Sequence, residues 1–125
     1  MIDSVELDPE NATYLFELGN LYIGMKSYAQ AEPYLLKAVQ LDGENVMLNT
    51  AIGYMRFNQS RYEEAVESYR KAISIDSSKA LTWYHLANAQ RVLGMNEEAL
   101  QSIGVALRLQ PNFQAAKQLL NEMTR

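Results

Sequence analysis

The sequence repeats itself with a period of 34 residues, which restricts the chain to a fold made of stacked copies of one unit. Ala12, Val46 and Ala80 begin three successive copies with no residue inserted or deleted between them. The second half of each copy has two alanine columns, Ala31/Ala65/Ala99 and Ala38/Ala72/Ala106. Small side chains at fixed positions let neighbouring backbones approach closely. The columns therefore predict three closely packed units.

Helical spacing of the apolar residues predicts that each unit is built from α-helices. In residues 28–41, Ala31, Leu35 and Ala38 follow one another at intervals of four and three, which places them on one helix face. Alternation with a period of two is absent, so the predicted class is all-α, with a helix-turn-helix in each unit. A column of Gly19, Gly53 and Ala87 predicts close contact between the two helices of a unit.

Several local signals predict where the helices begin. Asp8-Pro9 fits the start of a first helix that runs to about Ile23, because proline needs no backbone partner in a first turn. Ser27 and Ser60 each fit the capping serine of a second helix, although the two positions are one residue out of step with the repeat. Pro33 should remove one backbone hydrogen bond from its helix.

The third unit carries the most informative motif, Trp83-x2-Leu86-Ala87, followed by Ala99, Ala106 and Pro111. In this pattern the chain resembles the tetratricopeptide repeat family. The resemblance implies an α-solenoid of three helix-turn-helix units that forms a right-handed superhelix with a C-terminal capping helix. Three positions depart from the family pattern and predict looser packing: Asn49 in place of a large residue, and Arg56 and Gln90 in place of tyrosine.

The predicted organisation is one domain. Residues 1–11 are the end of a preceding repeat or an N-terminal cap, with Ser4 to Pro9 matching the last residues of a repeat. The repeats themselves occupy residues 12–45, 46–79 and 80–113, and residues 114–125 form the capping helix. On this interpretation the chain is a piece of a longer array.

Composition argues against several functional classes. The net charge of −4 gives no electrostatic reason to bind nucleic acid, and no apolar run approaches the ~18 residues of a membrane span. The sequence is interpreted as that of a soluble protein, with the cytoplasm favoured. It contains no cysteine, and its one histidine, His85, has no acidic residue within four positions. We therefore expect no enzyme activity, no metal site and no cofactor, and a structural or surface role for His85.

The acidic pairs Glu63-Glu64 and Glu97-Glu98 recur at equivalent positions of the repeat. Both are interpreted as favourable charges in the first turn of a second helix, not as a catalytic pair.

The family resemblance also implies a binding surface, because first helices of successive repeats line a concave groove through positions 2, 5, 9 and 12 of each unit. Carried onto this sequence, the predicted peptide-binding residues are Phe16, Asn20, Ile23, Thr50, Tyr54, Phe57, Tyr84, Asn88 and Arg91. Thr13, Met47 and Leu81 occupy position 2. The groove so predicted is aromatic and apolar, and its aromatic residues are expected to be surplus to the core. A contiguous exposed patch of this kind usually marks an interaction site.

Some members of the family hold acidic C-terminal tails of chaperones with a carboxylate clamp of lysines, asparagines and an arginine. The corresponding residues here are Phe16, Asn20, Ala51, Leu81 and His85, so only Asn20 matches. The sequence therefore predicts that chaperone tails are not the ligand.

Two functions are carried forward. The first is a protein-interaction scaffold that binds a peptide or helix of a partner protein in the groove. The alternative is a structural or self-association module, a homo-oligomer or a fragment of a longer array, that stacks through its ends. The sequence does not name the partner.

Overall fold

The computed structural model describes residues 11–124 and contains seven α-helices in that range. They are α1 Ala12–Gly24, α2 Tyr28–Leu41, α3 Val46–Asn58, α4 Tyr62–Ile75, α5 Ala80–Val92, α6 Asn96–Leu109 and α7 Gln114–Met123. No strand occurs in the part of the chain described, and the predicted all-α class is confirmed. Asp8-Pro9 and the repeat-like segment Ser4 to Pro9 lie outside the described residues.

Helices pair in sequence order and then stack, as in an α-solenoid. The most extensive contacts lie within the pairs α1/α2, α3/α4 and α5/α6. Further contacts between α2 and α3 and between α4 and α5 join successive pairs, and α7 packs on α6. The first helices α1, α3 and α5 also touch one another in order. The first helices consequently lie side by side, which is the arrangement needed for a shared groove.

Glycines explain how the two helices of a unit come so close. A methyl group added at Gly53 would lie 2.6 Å from Cε1 of Tyr69, and one added at Gly19 would lie 2.5 Å from Cδ2 of Leu35. Both distances are far below a normal contact. The small residues predicted from the repeat therefore do mark close approaches, and each is filled by the large side chain opposite it.

The predicted helix caps are partly wrong. The first helix begins at Ala12, where the side chain of Asn11 accepts a hydrogen bond from the backbone N–H of Tyr14 at 3.0 Å. Ser27 does precede α2, but its side chain makes no capping hydrogen bond. Ser60 is not a cap: α4 is preceded by Arg61, and Ser60 adopts a positive φ of 63° in the turn. The capping box at Ser60 fails because that position belongs to the turn of the repeat.

Asn49, one of the positions expected to pack loosely, is instead well bonded. Asn49 is buried, and its amide donates to the carbonyl of Gly43 at 3.1 Å. Trp83, one repeat later, donates from Nε1 to the carbonyl of Ser77 at 2.9 Å, which is the equivalent carbonyl. Asparagine thus replaces the donor function of the tryptophan, so the looser packing predicted there is wrong.

Two repeat positions that face each other, occupied in the first unit by Tyr22 and Tyr34, change together from one unit to the next. In the first unit Tyr22 stacks on Tyr34 with ring centroids 5.7 Å apart. In the second, Nη1 of Arg56 donates to the hydroxyl of Ser68 at 2.8 Å. In the third, the hydroxyl of Ser102 donates to Oε1 of Gln90 at 2.7 Å, with both residues buried. Each polar replacement on a first helix is therefore matched by serine on the second helix, which satisfies one of its polar groups, whereas Nε of Arg56 is buried without a hydrogen-bond partner among residues 11–124.

Pro33 lies inside α2, which continues around it from Tyr28 to Leu41. The apolar interior consists of three clusters along the stack. The first cluster joins α1, α2 and α3, and includes Leu15, Leu35 and Ile52. The last cluster joins α5, α6 and α7. Because each cluster draws on consecutive helices, the core follows the order of the chain.

Candidate functional site

Three depressions follow one another along the first helices. The first has a volume of about 300 Å³ and is open to solvent. Its walls come from α1, α3 and α5, and almost all of its surface is apolar. The residues lining it are Phe16, Asn20, Ile23, Val46, Met47, Thr50, Ala51, Tyr54, Lys79, Leu81 and Thr82.

The other two depressions continue from the first. The second, of about 240 Å³, is lined by Tyr54, Phe57, Asn58, Tyr84, His85 and Asn88. The third, of about 230 Å³, is lined by Tyr84, Asn88, Arg91, Ala115, Gln118, Leu119 and Glu122. Tyr54 is shared by the first two, and Tyr84 and Asn88 by the last two. We call the three together the groove.

All nine residues predicted for the binding surface line the groove. Phe16, Asn20, Ile23, Thr50 and Tyr54 lie in the first depression, Phe57, Tyr84 and Asn88 in the second, and Arg91 in the third. The structure thus brings them together on one surface. Their role in binding stays a prediction.

The aromatic side chains of the groove also contribute to the core, whereas the sequence predicted that they would be surplus to it. Phe16, Phe57 and Tyr84 are partly buried and pack against the apolar clusters beneath them. Tyr84 contacts Phe113 with ring centroids 5.1 Å apart, and Phe57 meets Tyr62 edge to face at 5.2 Å. One side of each ring therefore supports the fold while the other lines the groove. Such rings are held rigidly, which lowers the entropy cost of binding on them.

The most exposed apolar side chains of the groove lie around the first depression. Met47 is 67% exposed and Leu81 is 53% exposed, although both are large and apolar. They occupy position 2 of their repeats and stand on neighbouring helices. The hydroxyls of Thr50 and Thr82 lie 3.2 Å apart beneath them, and the Thr50 hydroxyl donates to the carbonyl of Val46 at 2.8 Å. The floor between the two helices is thus polar but internally bonded, while the rim is apolar.

His85 lies under the middle of the groove, among three tyrosines. Its ring centroid is 5.4 Å from that of Tyr54, 5.7 Å from Tyr69 and 5.6 Å from Tyr84. Burial lowers its pKa from 6.5 to about 4, because the cation would lose its hydration. His85 is therefore neutral at physiological pH. This environment supports the structural role predicted for it.

Charge is found only at the margins of the groove. Lys79 borders the first depression at the start of α5. Arg91 borders the third, where its Nη2 lies 3.7 Å from Oε1 of Glu122 on α7. Both partners of this ion pair are exposed, so its contribution to stability is small. Arg91 can exchange Glu122 for another carboxylate at little cost.

Sequence reasoning did not place α7 in the groove. Ala115, Gln118, Leu119 and Glu122 of this helix form one wall of the third depression. A signal was present, because Ala115 and Leu119 follow the helical spacing of an apolar face. The sequence predicted a capping helix at residues 114–125, and part of its apolar face also lines the groove.

In residues 11–124 no group of three or more acidic or histidine side chains is arranged to hold a metal ion. Within the same residues, no helix has the length and apolar character required to cross a membrane.

Two family models match this chain and assign it to a protein family. A family model described as a tetratricopeptide repeat matches residues 12–45, and another described as a TPR repeat matches residues 53–94. No significant match is found among curated proteins. The chain belongs to the tetratricopeptide repeat (TPR) family, which is generally a non-catalytic protein-interaction fold.

Solved structures agree with this assignment. MamA is 22% identical with a TM-score of 0.90, over 96% of this chain and 70% of that one. The first TPR domain of Spaghetti (RPAP3), bound to the HSP90 peptide SRMEEVD, is 25% identical with a TM-score of 0.89, over 94% and 93% of the two chains. The TPR domain of Arabidopsis OM64 is 21% identical with a TM-score of 0.87, over 90% and 93%. These similarities confirm the all-α solenoid.

Proposed function

We propose that this chain is a protein-interaction module that holds a peptide segment of a partner protein in the groove. The observation that carries the proposal is the first depression, whose rim exposes Met47 and Leu81 beside Phe16 and Tyr54. Covering one such side chain contributes roughly 1.5–3 kcal/mol. Two or three side chains covered in this way would contribute roughly 3–9 kcal/mol before the cost of association is subtracted, which corresponds to binding no tighter than about micromolar.

Amides in the groove suit an extended ligand backbone. Asn20 and Asn88 occupy the same position two repeats apart, and neither side chain is hydrogen-bonded to another group within residues 11–124. Each amide offers both a donor and an acceptor. They would therefore bind peptide groups whatever the ligand's side chains are, while the apolar rim supplies the selectivity.

Acidic chaperone tails remain unsuited to this groove. The solved structure of Spaghetti (RPAP3) contains the HSP90 peptide SRMEEVD, which has four acidic groups counting its terminal carboxylate. In this chain Leu81 and His85 stand where the clamp requires cations, and His85 is neutral because of its low pKa. A carboxylate placed there would lose its hydration without gaining a partner.

The test is selection from a random peptide library displayed on phage, followed by affinity measurements on the enriched peptides. We expect apolar peptides that lose at least tenfold in affinity when Met47→Lys or Leu81→Lys is introduced. Leu109→Lys is the matched control, because Leu109 is similarly exposed at 43% but lies outside the groove. Peptides that bind all three variants equally would move the site elsewhere and refute the proposal.

The synthetic peptide SRMEEVD serves as a negative probe in the same assay. We expect no saturable binding at concentrations up to about 1 mM, which corresponds to roughly −4 kcal/mol. Saturable binding that is weakened by Arg91→Ala would show that the groove accepts carboxylates, and would contradict the proposed apolar selectivity.

Self-association through the ends of the stack is a second candidate. One observation favours it: Leu21 and Met25 are 59% and 56% exposed, and within residues 11–124 no helix precedes α1.

A further inference from the structure

The second depression of the groove differs in chemistry from the first. Aromatic side chains from two neighbouring helices line it: Tyr54 and Phe57 come from α3, and Tyr84 and His85 come from α5. Its surface is also more polar than that of the first depression, which is almost entirely apolar. The two depressions are therefore suited to different groups of one ligand.

The rings around His85 are held at fixed inclinations. The imidazole stacks on the buried ring of Tyr69 with an interplanar angle of 13°. Tyr54 and Tyr84 contact the same imidazole from neighbouring helices, and their planes are inclined to it by 59° and 52°. Tyr54 is 39% exposed, so part of its ring stays accessible to a ligand. The face of an aromatic ring carries partial negative charge and attracts cations.

Amide oxygens complete the lining of the second depression. The side-chain amide nitrogen of Asn58 donates to the backbone carbonyl of Tyr54 at 2.8 Å, which leaves Oδ1 of Asn58 as an acceptor. The side chain of Asn88 makes no hydrogen bond within residues 11–124, so its amide oxygen is available too. No lysine or arginine of that range lines this depression. The groups offered to a ligand are thus ring faces and oxygen atoms.

This lining distinguishes between the classes of ligand side chain. A carboxylate would face the negative ring faces without a cation to pair with. An apolar side chain would cover the amide oxygens and leave them without hydrogen bonds. A guanidinium group satisfies both, because its plane stacks on aromatic rings and its N–H groups donate to oxygen. His85 does not repel such a group at neutral pH, since burial lowers its pKa to about 4.

We propose that the second depression binds an arginine side chain of the ligand peptide, next to an apolar side chain held in the first depression. This inference rests on the proposed function and names the class of peptide that the groove selects. Tyr54 lines both depressions, so the arginine and the apolar side chain lie on either side of it. Arginine is preferred to lysine, because an ammonium group has no plane to stack on a ring and is more strongly hydrated.

The charges around the second depression are compatible with an arginine. Lys79 borders the first depression and not the second. Arg91 borders the third, where the carboxylate of Glu122 at 3.7 Å offsets its charge. The chain as a whole carries a net charge of −4, which favours a cationic ligand over an anionic one.

The HSP90 peptide SRMEEVD also contains an arginine. One cation–π contact strengthens binding by a factor of at most about 30, which by itself does not give saturable binding below about 1 mM. The arginine site is therefore consistent with the expected failure of this acidic peptide to bind.

NMR titration of the isotope-labelled full chain with N-acetyl-arginine-N-methylamide tests the second depression directly. We expect chemical-shift changes centred on the backbone amides of His85 and Asn88, at probe concentrations up to about 100 mM. The matched probe carries citrulline, which has nearly the same shape but no charge, and should cause much smaller changes. Equal changes with both probes, or changes centred elsewhere, overturn the proposal. Because each probe is a single amino acid, the result does not depend on whether the groove binds peptides.

Peptides enriched in the phage selection extend the test to a complete ligand. We expect an arginine close to the apolar residues, and its replacement by citrulline should weaken binding about 5- to 30-fold. In Tyr54→Leu, which keeps an apolar side chain but removes the ring, the same replacement should weaken binding less than about 3-fold. Tyr28→Leu removes a tyrosine of α2 that lies outside the groove, and should retain the full effect. Circular dichroism of each variant checks the fold.

The outcomes separate the arginine site from the proposed function. Enriched peptides that depend on Met47 and Leu81 but contain no arginine overturn the arginine site and support the apolar groove. Binding of the arginine probe to a chain that selects no peptides supports the site and refutes the proposed function. A citrulline effect of equal size in the wild type and in Tyr54→Leu shows that the ring does not hold the guanidinium, and overturns the proposal.

Discussion

Replacing Gly53 by alanine tests whether close helix contact, and not conformational freedom, selects glycine within each repeat. Gly53 lies inside α3, where alanine normally stabilises a helix by about 1 kcal/mol relative to glycine. The new methyl group would lie 2.6 Å from Cε1 and 2.7 Å from Cδ1 of Tyr69. The ring would have to move by about 0.8 Å to reach a normal contact distance of roughly 3.4 Å.

Tyr69 has little room for such a movement. It is 1% exposed and stacks on His85 with ring centroids 5.7 Å apart. Overpacking a filled core costs about 1–3 kcal/mol. After subtracting the gain of about 1 kcal/mol in helix propensity, we expect Gly53→Ala to lower the free energy of unfolding by about 0–2 kcal/mol.

Gly104 provides the matched control. It lies inside α6 and is exposed, and an added methyl group would meet no atom within 4 Å. Gly104→Ala should therefore raise the free energy of unfolding by about 1 kcal/mol. The difference between the two variants isolates the steric cost, which we expect to be 1–3 kcal/mol. Urea unfolding followed by circular dichroism measures both, with the m-value as a check on cooperativity.

Repeating Gly53→Ala in a protein that already carries a second substitution separates the steric cost of the new methyl group from its other effects. The third repeat has Ala87 where the second has Gly53, and Ile103 in place of Tyr69. Gly53→Ala should therefore cost less in a Tyr69→Ile background than in the wild type. If Gly53→Ala stabilises the protein as much as Gly104→Ala does, the contact with Tyr69 does not select glycine and the reasoning is wrong.

Three other substitutions probe the polar and charged interactions of the fold. Ser102→Ala leaves the buried carbonyl of Gln90 without its donor and should lower the free energy of unfolding by about 1–3 kcal/mol; urea unfolding checks this, and no change would mean that water replaces the hydroxyl. His85 has a pKa of about 4 when folded and 6.5 when unfolded, so stability is retained above pH 6.5 and lost as the pH falls towards 4, by on the order of 2–3 kcal/mol. His85→Phe should remove this part of the pH dependence, and an identical profile would contradict the assignment. Arg61→Ala breaks the ion pairs with Glu64 and with Glu32 of the preceding repeat, and together they should contribute about 1 kcal/mol, with the difference shrinking in 1 M salt; a larger, salt-independent loss would point to packing instead.

Much of the fold could be predicted from the periodicity. The repeat positions of Ala31, Ala65 and Ala99 indicated helices, and the structure confirms them. Cap positions were less predictable. Ser60 resembles a capping serine, but it lies in the turn with a positive φ, as does Gly94 at the equivalent position of the next repeat. Local sequence cannot reveal that place, because it is set by the geometry of the helix-turn-helix unit.

The candidate groove was largely predictable for the same reason. Its residues recur at fixed positions of a repeated unit, so the family resemblance could place all nine on one surface. The wall formed by α7 was not predicted, because this helix is not a repeat and its position depends on how it packs on α6. Likewise, the pairing of Gln90 with Ser102 appears only when the two helices are seen side by side.

The sequence by itself determined the class of fold and which residues share the face that lines the groove, because these follow from a 34-residue period and helical spacing. Tertiary structure alone decided which repeated positions are core and which are surface. Leu21 and Met55 occupy the same position, yet one is exposed and the other is buried. The physical reason is that burial depends on the neighbouring unit: the preceding helix α2 packs over Met55, whereas within residues 11–124 no helix precedes α1.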